Sequence, residues 1–272
     1  MSNAHMPLEF YETVEHFLPP EPSSPSSQGG RPPVSNYTAL KVIWFVLVTG
    51  IRWRDVPLEM GCCGETARTR LRDWEELGVW EEIHQEMLRR LRQADALEPN
   101  IVIIDSAHVR ALGGGDLSGP SPVDRAKPGR KYTLIVDRNG VPLGIRISPG
   151  NVSDHQEALP IVMLEFPQVG GKVGRPKELP DELYADAGYD SDPLRAVLRW
   201  LGIEPYIRRR RSEHGSGLGK VRWVVERALA WVTGLRRMRI SYDRLETMLE
   251  AWGKFTLGVI CYRLWTEAKA VA

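Results

Sequence analysis

Hydrophobic spacing divides the chain into an all-helical part and a mixed part. After Tyr37, apolar residues recur at helical spacing in three segments, which predicts helices over residues 38–50, 65–76 and 79–96. The pattern changes at Ile101-Val102-Ile103-Ile104, an unbroken β-branched run of the kind that forms a strand buried on both faces. The spacing therefore predicts helices first and a mixed α/β region after them.

A hairpin and a series of alternating elements are predicted in the mixed region. The runs 131–136 and 141–147 flank Asn139-Gly140, a dipeptide typical of tight hairpin turns. The remaining elements follow by the same spacing rules: strands over 183–185 and 203–207, and helices over 155–166, 191–201 and 219–235. This β-β-β-α-β-α-β-α order is that of the ribonuclease H-like fold. We therefore predict an α/β ribonuclease H-like core with a mixed sheet, preceded by a small all-α, helix-turn-helix-like domain.

Three segments are expected along the chain. Residues 19–36 are rich in Pro, Ser and Gly and have almost nothing to bury, and the first residues resemble a cloning remnant. Residues 1–36 are therefore predicted to be a tag remnant and flexible arm, with order beginning near Tyr37. A helical domain at 37–97 and a mixed domain at 98–272 complete the predicted organisation.

The amino-acid composition excludes several classes of protein. With 42% hydrophobic and 26% charged residues, the chain is neither fibrous nor fully disordered. Its longest apolar run, residues 42–51, is too short to span a bilayer, so no membrane partner is expected. Three cysteines make no disulfide framework, and a cytoplasmic location is expected.

Charge is distributed unevenly, although the formal net charge is only +1. Residues 208–239 hold ten bases and two acids, which favours a polyanionic partner. In the helical part, Arg68 and Arg72 are four residues apart and share a helix face that suits phosphates. Residues 37–97 carry nine bases against ten acids, so an ordinary helical bundle with a solvated basic face is the alternative.

Three acids stand at positions where chemistry is expected. Asp105 ends the first predicted strand, Asp186 ends the fourth, and Glu226 lies in the basic helix one turn after Arg222. If the two strands are neighbours, their ends lie about 5 Å apart and can share a divalent ion. Carboxylate oxygens favour hard cations such as Mg²⁺. Taken singly, each aspartate can instead cap a turn, and Glu226 can pair with Arg222.

Four blocks of the sequence form a recognisable set: IVIIDSAHVRA, GRKYTLIVDRNGVPLGIRISPGNVSDHQEALPIV, LYADAGYDSDPLRAVLRWLGIEPYIRRR and LGKVRWVVERALAWVTGLRRMRISYDR. Together they resemble bacterial DDE transposases of the insertion-sequence-5 group, and the resemblance runs from about Thr38 to Trp265. It implies that Asp105, Asp186 and Glu226 are the catalytic, metal-binding acids, with Asp190 a weaker candidate.

The resemblance also implies a reaction and partners. The implied activity is cleavage of double-stranded DNA at the terminal inverted repeats of an insertion sequence, followed by transfer of the 3′-hydroxyl into target DNA. Two Mg²⁺ ions would serve it, with Mn²⁺ as a substitute, and the protein would act as a homodimer or higher multimer on DNA in the nucleoid. An inactive DNA-binding regulator and a metal-dependent nuclease that joins no strands are the alternatives.

One signature of related transposases is incomplete here. In the pattern Tyr-x2-Arg-x3-Glu-x6-Lys, Arg222 and Glu226 fit, but Gly219 and Thr233 replace the Tyr and the Lys. Trp223 and Trp231 either pack or stack on a displaced base. The residues expected to contact DNA are Arg68, Arg72, Arg130, Lys131, Arg209, Arg210, Lys220, Arg222 and Arg227.

Overall fold

A computed structural model describes residues 4–21, 33–211 and 219–271. The first four helices are α1 (Leu8–Val14), α2 (Asn36–Thr49), α3 (Gly64–Glu76) and α4 (Val79–Gln93). The strands that follow are β1 (Ile101–Ala111), β2 (Gly119–Pro120), β3 (Pro128–Asp137) and β4 (Pro142–Pro149). The last part holds α5 (Asp154–Leu164), β5 (Glu182–Ala185), α6 (Asp192–Trp200), β6 (Glu204–Ile207), α7 (Gly219–Gly234), α8 (Arg236–Arg239), β7 (Ile240–Ser241) and α9 (Glu246–Val271).

The strands of the described residues form one mixed sheet. Its main strands lie in the order β4-β3-β1-β5-β6, with short β2 beside β3 and short β7 beside β1. β3 runs antiparallel to β1 and β4, whereas β1, β5 and β6 are parallel to one another. This order and orientation confirm the predicted ribonuclease H-like core.

Strand β1 is longer than predicted, and this changes the position of Asp105. The β-branched run ends at Ile104, but β1 continues to Ala111 because β3 pairs with it from Val102 to Arg110. On its other side, β1 pairs with β5 only as far as Ile103. The prediction that Asp105 ends the strand is therefore wrong. Asp105 lies inside β1, just beyond the end of its parallel neighbour.

The N-terminal region is ordered earlier than predicted. Helix α1 lies within the segment assigned to a flexible arm, and its Phe10 and Val14 are fully buried. The Phe10 ring packs 5.1 Å from the rings of both Trp44 and Tyr262, measured between centroids. The arm prediction is therefore wrong for α1, while residues 22–32 lie outside the described part of the chain.

Helix α9, which the spacing does not predict, joins the helical part to the sheet. It packs on α3, α4 and β4. Two glycines allow this close approach: a Cβ at Gly253 would lie 3.1 Å from Ile145, and one at Gly258 would lie 3.1 Å from Ile83. The helices of 37–97 thus share one apolar core with α1 and α9. Despite the 26 residues of α9, no described helix is apolar enough to cross a membrane.

Phe255→Ala is expected to lower the free energy of unfolding by about 3–5 kcal/mol, the usual cost of deleting a buried aromatic ring. Phe255 is fully buried and its ring lies 4.7 Å from that of Trp80 and 6.4 Å from that of Phe10. Chemical denaturation is the measurement. A loss as small as that of Leu245→Ala, an exposed position at the start of the same region, would contradict a core shared by α1, α4 and α9.

Candidate active site

Two aspartates meet where β5 ends beside β1. The parallel register pairs Ile103 with Tyr184, and continuing it by two residues brings Asp105 level with Asp186. The charge of Asp186 contributes to the raised pKa of Asp105, as expected of neighbouring carboxylates. The structure therefore brings together the two aspartates that the sequence singled out.

The Asp105 carboxylate is largely removed from solvent. Its side chain is 18% exposed, one oxygen accepts the Ser106 N–H at 2.8 Å, and the other accepts Arg222 Nη2 at 3.1 Å. Burial raises the pKa of Asp105, and Asp186 raises it further, whereas the Ser106 N–H and Arg222 lower it. A carboxylate in this setting gains from a nearby cation, and Arg222 fills that role here.

Asp186 is held by the turn that it starts. It caps the 3-10 turn Ala187–Tyr189, and its Oδ1 accepts the Gly188 N–H at 2.7 Å. Asp190, at the end of this turn, has other partners: it accepts the Arg210 N–H at 2.8 Å and pairs with Arg195 at 2.6 Å. These bonds, the Arg210 N–H first, lower the pKa of Asp190. Asp190 thus holds the loop in place.

Glu226 is not brought to the two aspartates. It is exposed on α7, while Val225 and Leu229 of the same helix face the core. Arg222, one turn earlier, reaches Asp105 instead. No three His, Cys, Asp or Glu side chains in the described ranges lie close enough to hold a metal ion together. Of the three predicted carboxylates, Asp105 and Asp186 therefore lie together, and Glu226 lies apart from them.

The two aspartates nevertheless suit a hard divalent cation. They supply only oxygen donors, the donor type that Mg²⁺ and Mn²⁺ favour. The two like charges lie close enough for Asp186 to raise the pKa of a buried Asp105, so a shared cation would relieve their repulsion. The donor set and its electrostatics fit a metal site completed by a further ligand.

A third aspartate, Asp154, lies next to this pair, and the sequence reasoning missed it. It is the first residue of α5, after the N-cap Ser153, a position where an acid is ordinary in a helix. Its Oδ1 accepts Ser106 Oγ at 2.8 Å and Lys131 Nζ at 2.7 Å. Only the fold shows that this helix begins beside β1.

Arg130 and Lys131 are not surface contacts for DNA, so this part of the prediction is wrong. Arg130 is fully buried and donates to the carbonyl oxygens of Gly114 and Asp116 and to Ser241 Oγ. Lys131 is 3% exposed and pairs with Asp154. Both residues belong to β3, the middle strand between β1 and β4, where two-sided packing removes side chains from solvent.

The other basic residues lie nearer the surface. Arg68 pairs with Glu65 at 2.6 Å and Arg72 with Asp73 at 2.8 Å. Both pairs reduce the positive charge that this helix face offers to phosphates.

Arg210 is exposed over the Asp186 loop, where it donates to the carbonyl oxygens of Ala187 and Gly188. Arg209, 58% exposed, pairs with Asp192. The side chain of Lys220 lies outside the described part of the structure.

Arg227 is held between two aromatic rings. Its guanidinium carbon lies 4.6 Å from the ring centroid of Trp223 and 4.8 Å from that of Trp231, and it donates to Asn139 O at 2.7 Å. Trp223 is 51% exposed, whereas Trp231 packs against the core, so packing, one of the two interpretations from the sequence, describes Trp231 better than Trp223.

Comparison with known proteins assigns both halves of the chain. Residues 6–84 match the family described as "Putative transposase of IS4/5 family", and residues 96–257, more than half of the chain, match the family "Transposase DDE domain". A Burkholderia cepacia protein named "Putative transposase for insertion sequence element IS402" is 45% identical over 149 residues, 55% of this chain and 70% of that protein.

Two further similarities cover less of the chain or have a lower sequence identity. A 16.2 kDa protein of the same insertion element from Burkholderia cepacia is 45% identical over 115 residues, 42% of this chain and 78% of that protein. The Mos1 transposase in a paired-end complex with the left transposon end aligns over 89% of this chain and 80% of its own, at 12% identity and a TM-score of 0.34. A TM-score of 0.34 is too low to support a fold assignment, which rests instead on the strand order.

Proposed function

Because this chain belongs to the family of transposases with a DDE domain, we propose that it cuts DNA at the ends of an insertion sequence and joins the freed 3′-hydroxyl to target DNA. The observation that carries the proposal is the pair of aspartates, Asp105 and Asp186, at adjacent positions of a ribonuclease H-like sheet. The same carboxylates would serve cleavage and joining, since both are attacks of an oxygen on a phosphodiester.

Asp105 and Asp186 are the proposed holders of Mg²⁺, or of Mn²⁺ in its place, with Glu226 as the third acid. Bound ions of this kind activate the attacking oxygen and stabilise the leaving one. The protein's own contribution is positional: the β1–β5 register sets one aspartate beside the other, and the Gly188 N–H orients Asp186. Arg222, which binds Asp105 in the free protein, is proposed to turn to a DNA phosphate when the site is loaded.

DNA is proposed to cross the active site along the basic residues that remain exposed. Arg210 lies directly over the Asp186 loop, and Arg209 is its neighbour in the chain. Arg68 and Arg72 of α3 are proposed phosphate contacts for the helical part, and Lys220 and Arg227 are proposed contacts on α7, the helix that carries Glu226. Acting on two element ends, the protein is proposed to work as a homodimer or higher multimer on DNA in the nucleoid.

The test is a reaction of the full chain with Mg²⁺ and DNA that carries candidate element ends, with products resolved on denaturing gels. Strand-transfer products would support the proposal. Cut ends that never join would replace it with a nuclease, and DNA binding without any cut would replace it with an inactive regulator.

Replacing Arg209 and Arg210 by Ala together is expected to weaken binding to many DNA sequences about equally. Each lost phosphate contact lowers the slope of log affinity against log salt by about 0.9. A salt titration of DNA affinity is the measurement. The matched control replaces Arg175 and Lys177, a second pair of charges that lies near Asp181 at the opposite end of β5. Equal slopes in both double variants would make Arg209 and Arg210 an ordinary charged surface.

A further inference from the structure

An ion pair between a buried lysine and a half-buried aspartate lies next to the two aspartates and has no part in the proposed reaction. Lys131 is 3% exposed, and its ammonium donates to Asp154 and to the carbonyl oxygen of Val152. A buried ammonium needs a fixed negative partner, and Asp154 supplies it. The same Asp154 oxygen accepts Ser106 Oγ, one residue after Asp105. The pair is therefore tied to the backbone that carries the first catalytic aspartate.

The second oxygen of Asp154 lies against Gly188, in the turn that Asp186 caps. A Cβ at Gly188 would lie 2.9 Å from Asp154 Oδ2 and 2.9 Å from Asp186 Oδ1. Gly188 therefore lies against both carboxylates. A side chain at this position would have to move one of them. Asp154 thus bounds the Asp186 turn on one side and β1 on the other.

Asp154 lies next to a part of β1 that β5 does not reach. β5 ends at Ala185, so around Asp105 and Ser106 β1 has no parallel strand beside it until short β7 pairs with Arg110 and Ala111. Tyr189 is fully buried at this place, and after burial the charges of Asp154, Asp105 and Asp186 all raise the pKa of its hydroxyl. The three carboxylates therefore all act electrostatically on one buried hydroxyl.

We propose that Asp154, fixed by Lys131, is a positioning residue that sets the separation of Asp105 and Asp186 through Ser106 and the Gly188 turn. The inference rests on the proposed metal-dependent function. It assigns Lys131 a role inside the protein in place of the DNA contact expected from its charge. Residues that orient metal ligands typically change metal affinity by about 10–100-fold when they are replaced.

The test measures Mn²⁺ binding by the full-length protein without DNA, by electron paramagnetic resonance. Asp154→Asn is expected to weaken Mn²⁺ binding by about tenfold without removing it, because the ligands remain but their spacing is no longer fixed. Ser106→Ala is expected to give a smaller loss, since it removes one of the two bonds to Oδ1 and leaves Lys131 paired. Thermal melts show whether each variant is folded.

The matched control is Glu75→Gln, which alters a second partly buried lysine–carboxylate pair, Lys254–Glu75, between α3 and α9. It is expected to lower the melting temperature and leave Mn²⁺ affinity unchanged. A purely structural role of Asp154 would make Asp154→Asn behave in the same way, which would overturn the inference. Should Asp154→Asn unfold, wild-type Mn²⁺ affinity in Ser106→Ala would overturn it as well.

Three further outcomes distinguish failure of this inference from failure of the proposed function. Complete loss of Mn²⁺ in folded Asp154→Asn would make Asp154 a ligand, contrary to a positioning role. Equal Mn²⁺ binding by wild type and Asp105→Asn would overturn the metal-dependent function itself, and the inference with it. Loss in Asp105→Asn with no change in Asp154→Asn would leave the function standing and overturn only the inference.

Discussion

Asp105→Asn and Asp186→Asn are each expected to reduce DNA cleavage by on the order of 10³-fold or more, since a metal contribution of several kcal/mol is lost and each 1.4 kcal/mol is a factor of ten. Both residues lie at one point of the sheet, and each substitution removes one negative charge from a shared site. Folding should survive, because an amide occupies the same volume and still accepts the Ser106 or Gly188 N–H.

Cleavage of an end-bearing duplex and gel-shift affinity are the two measurements. DNA binding should stay near wild type, because the exposed arginines are unchanged. Asp181→Asn is the matched control: this aspartate precedes the same strand β5 but pairs with Lys177 at its opposite end. Wild-type cleavage by Asp186→Asn would remove Asp186 from the site, and equal losses in Asp181→Asn would show that any charge change near β5 is harmful.

Local spacing predicted most elements that surround the site. The helices α2, α3 and α4, the hairpin at Asn139-Gly140 and the succession of strands and helices along the chain follow from apolar periodicity and turn chemistry, which act within a few residues. Asp186 was identified for the same reason, because a short strand ends just before it. These features needed no knowledge of the tertiary contacts.

Features decided by distant contacts were not predictable in this way. Helix α9 is buried around most of its surface and so shows little amphipathic spacing, and β1 extends past Asp105 only because β3 is long enough to pair with it. Arg130 and Lys131 are basic residues in a middle strand, where burial depends on the neighbours. Asp154 is indistinguishable from an ordinary first-turn acid until α5 is placed beside β1.

Because Glu226 lies apart from the two aspartates, its substitution is expected to affect Mn²⁺ binding by the free protein differently from theirs. Glu226→Gln should reduce cleavage as fully as the aspartate substitutions if α7 delivers it to the site when DNA binds. In the free protein Glu226 is exposed, and Arg222 from the same helix occupies Asp105. Mn²⁺ binding by the DNA-free protein should therefore stay near wild type in Glu226→Gln, while Asp105→Asn and Asp186→Asn weaken it.

Comparison of Mn²⁺ affinity with and without an element-end duplex measures this difference. With DNA, Glu226→Gln is expected to lose the added affinity that wild type gains, since the third carboxylate is then missing from the assembled site. The matched control is Glu246→Gln, which removes the same charge from an exposed acid at the start of α9 and should keep that gain. If Glu226→Gln weakened Mn²⁺ binding of the free protein as much as Asp105→Asn does, Glu226 would already belong to the site before DNA arrives, and α7 would need no movement to complete it.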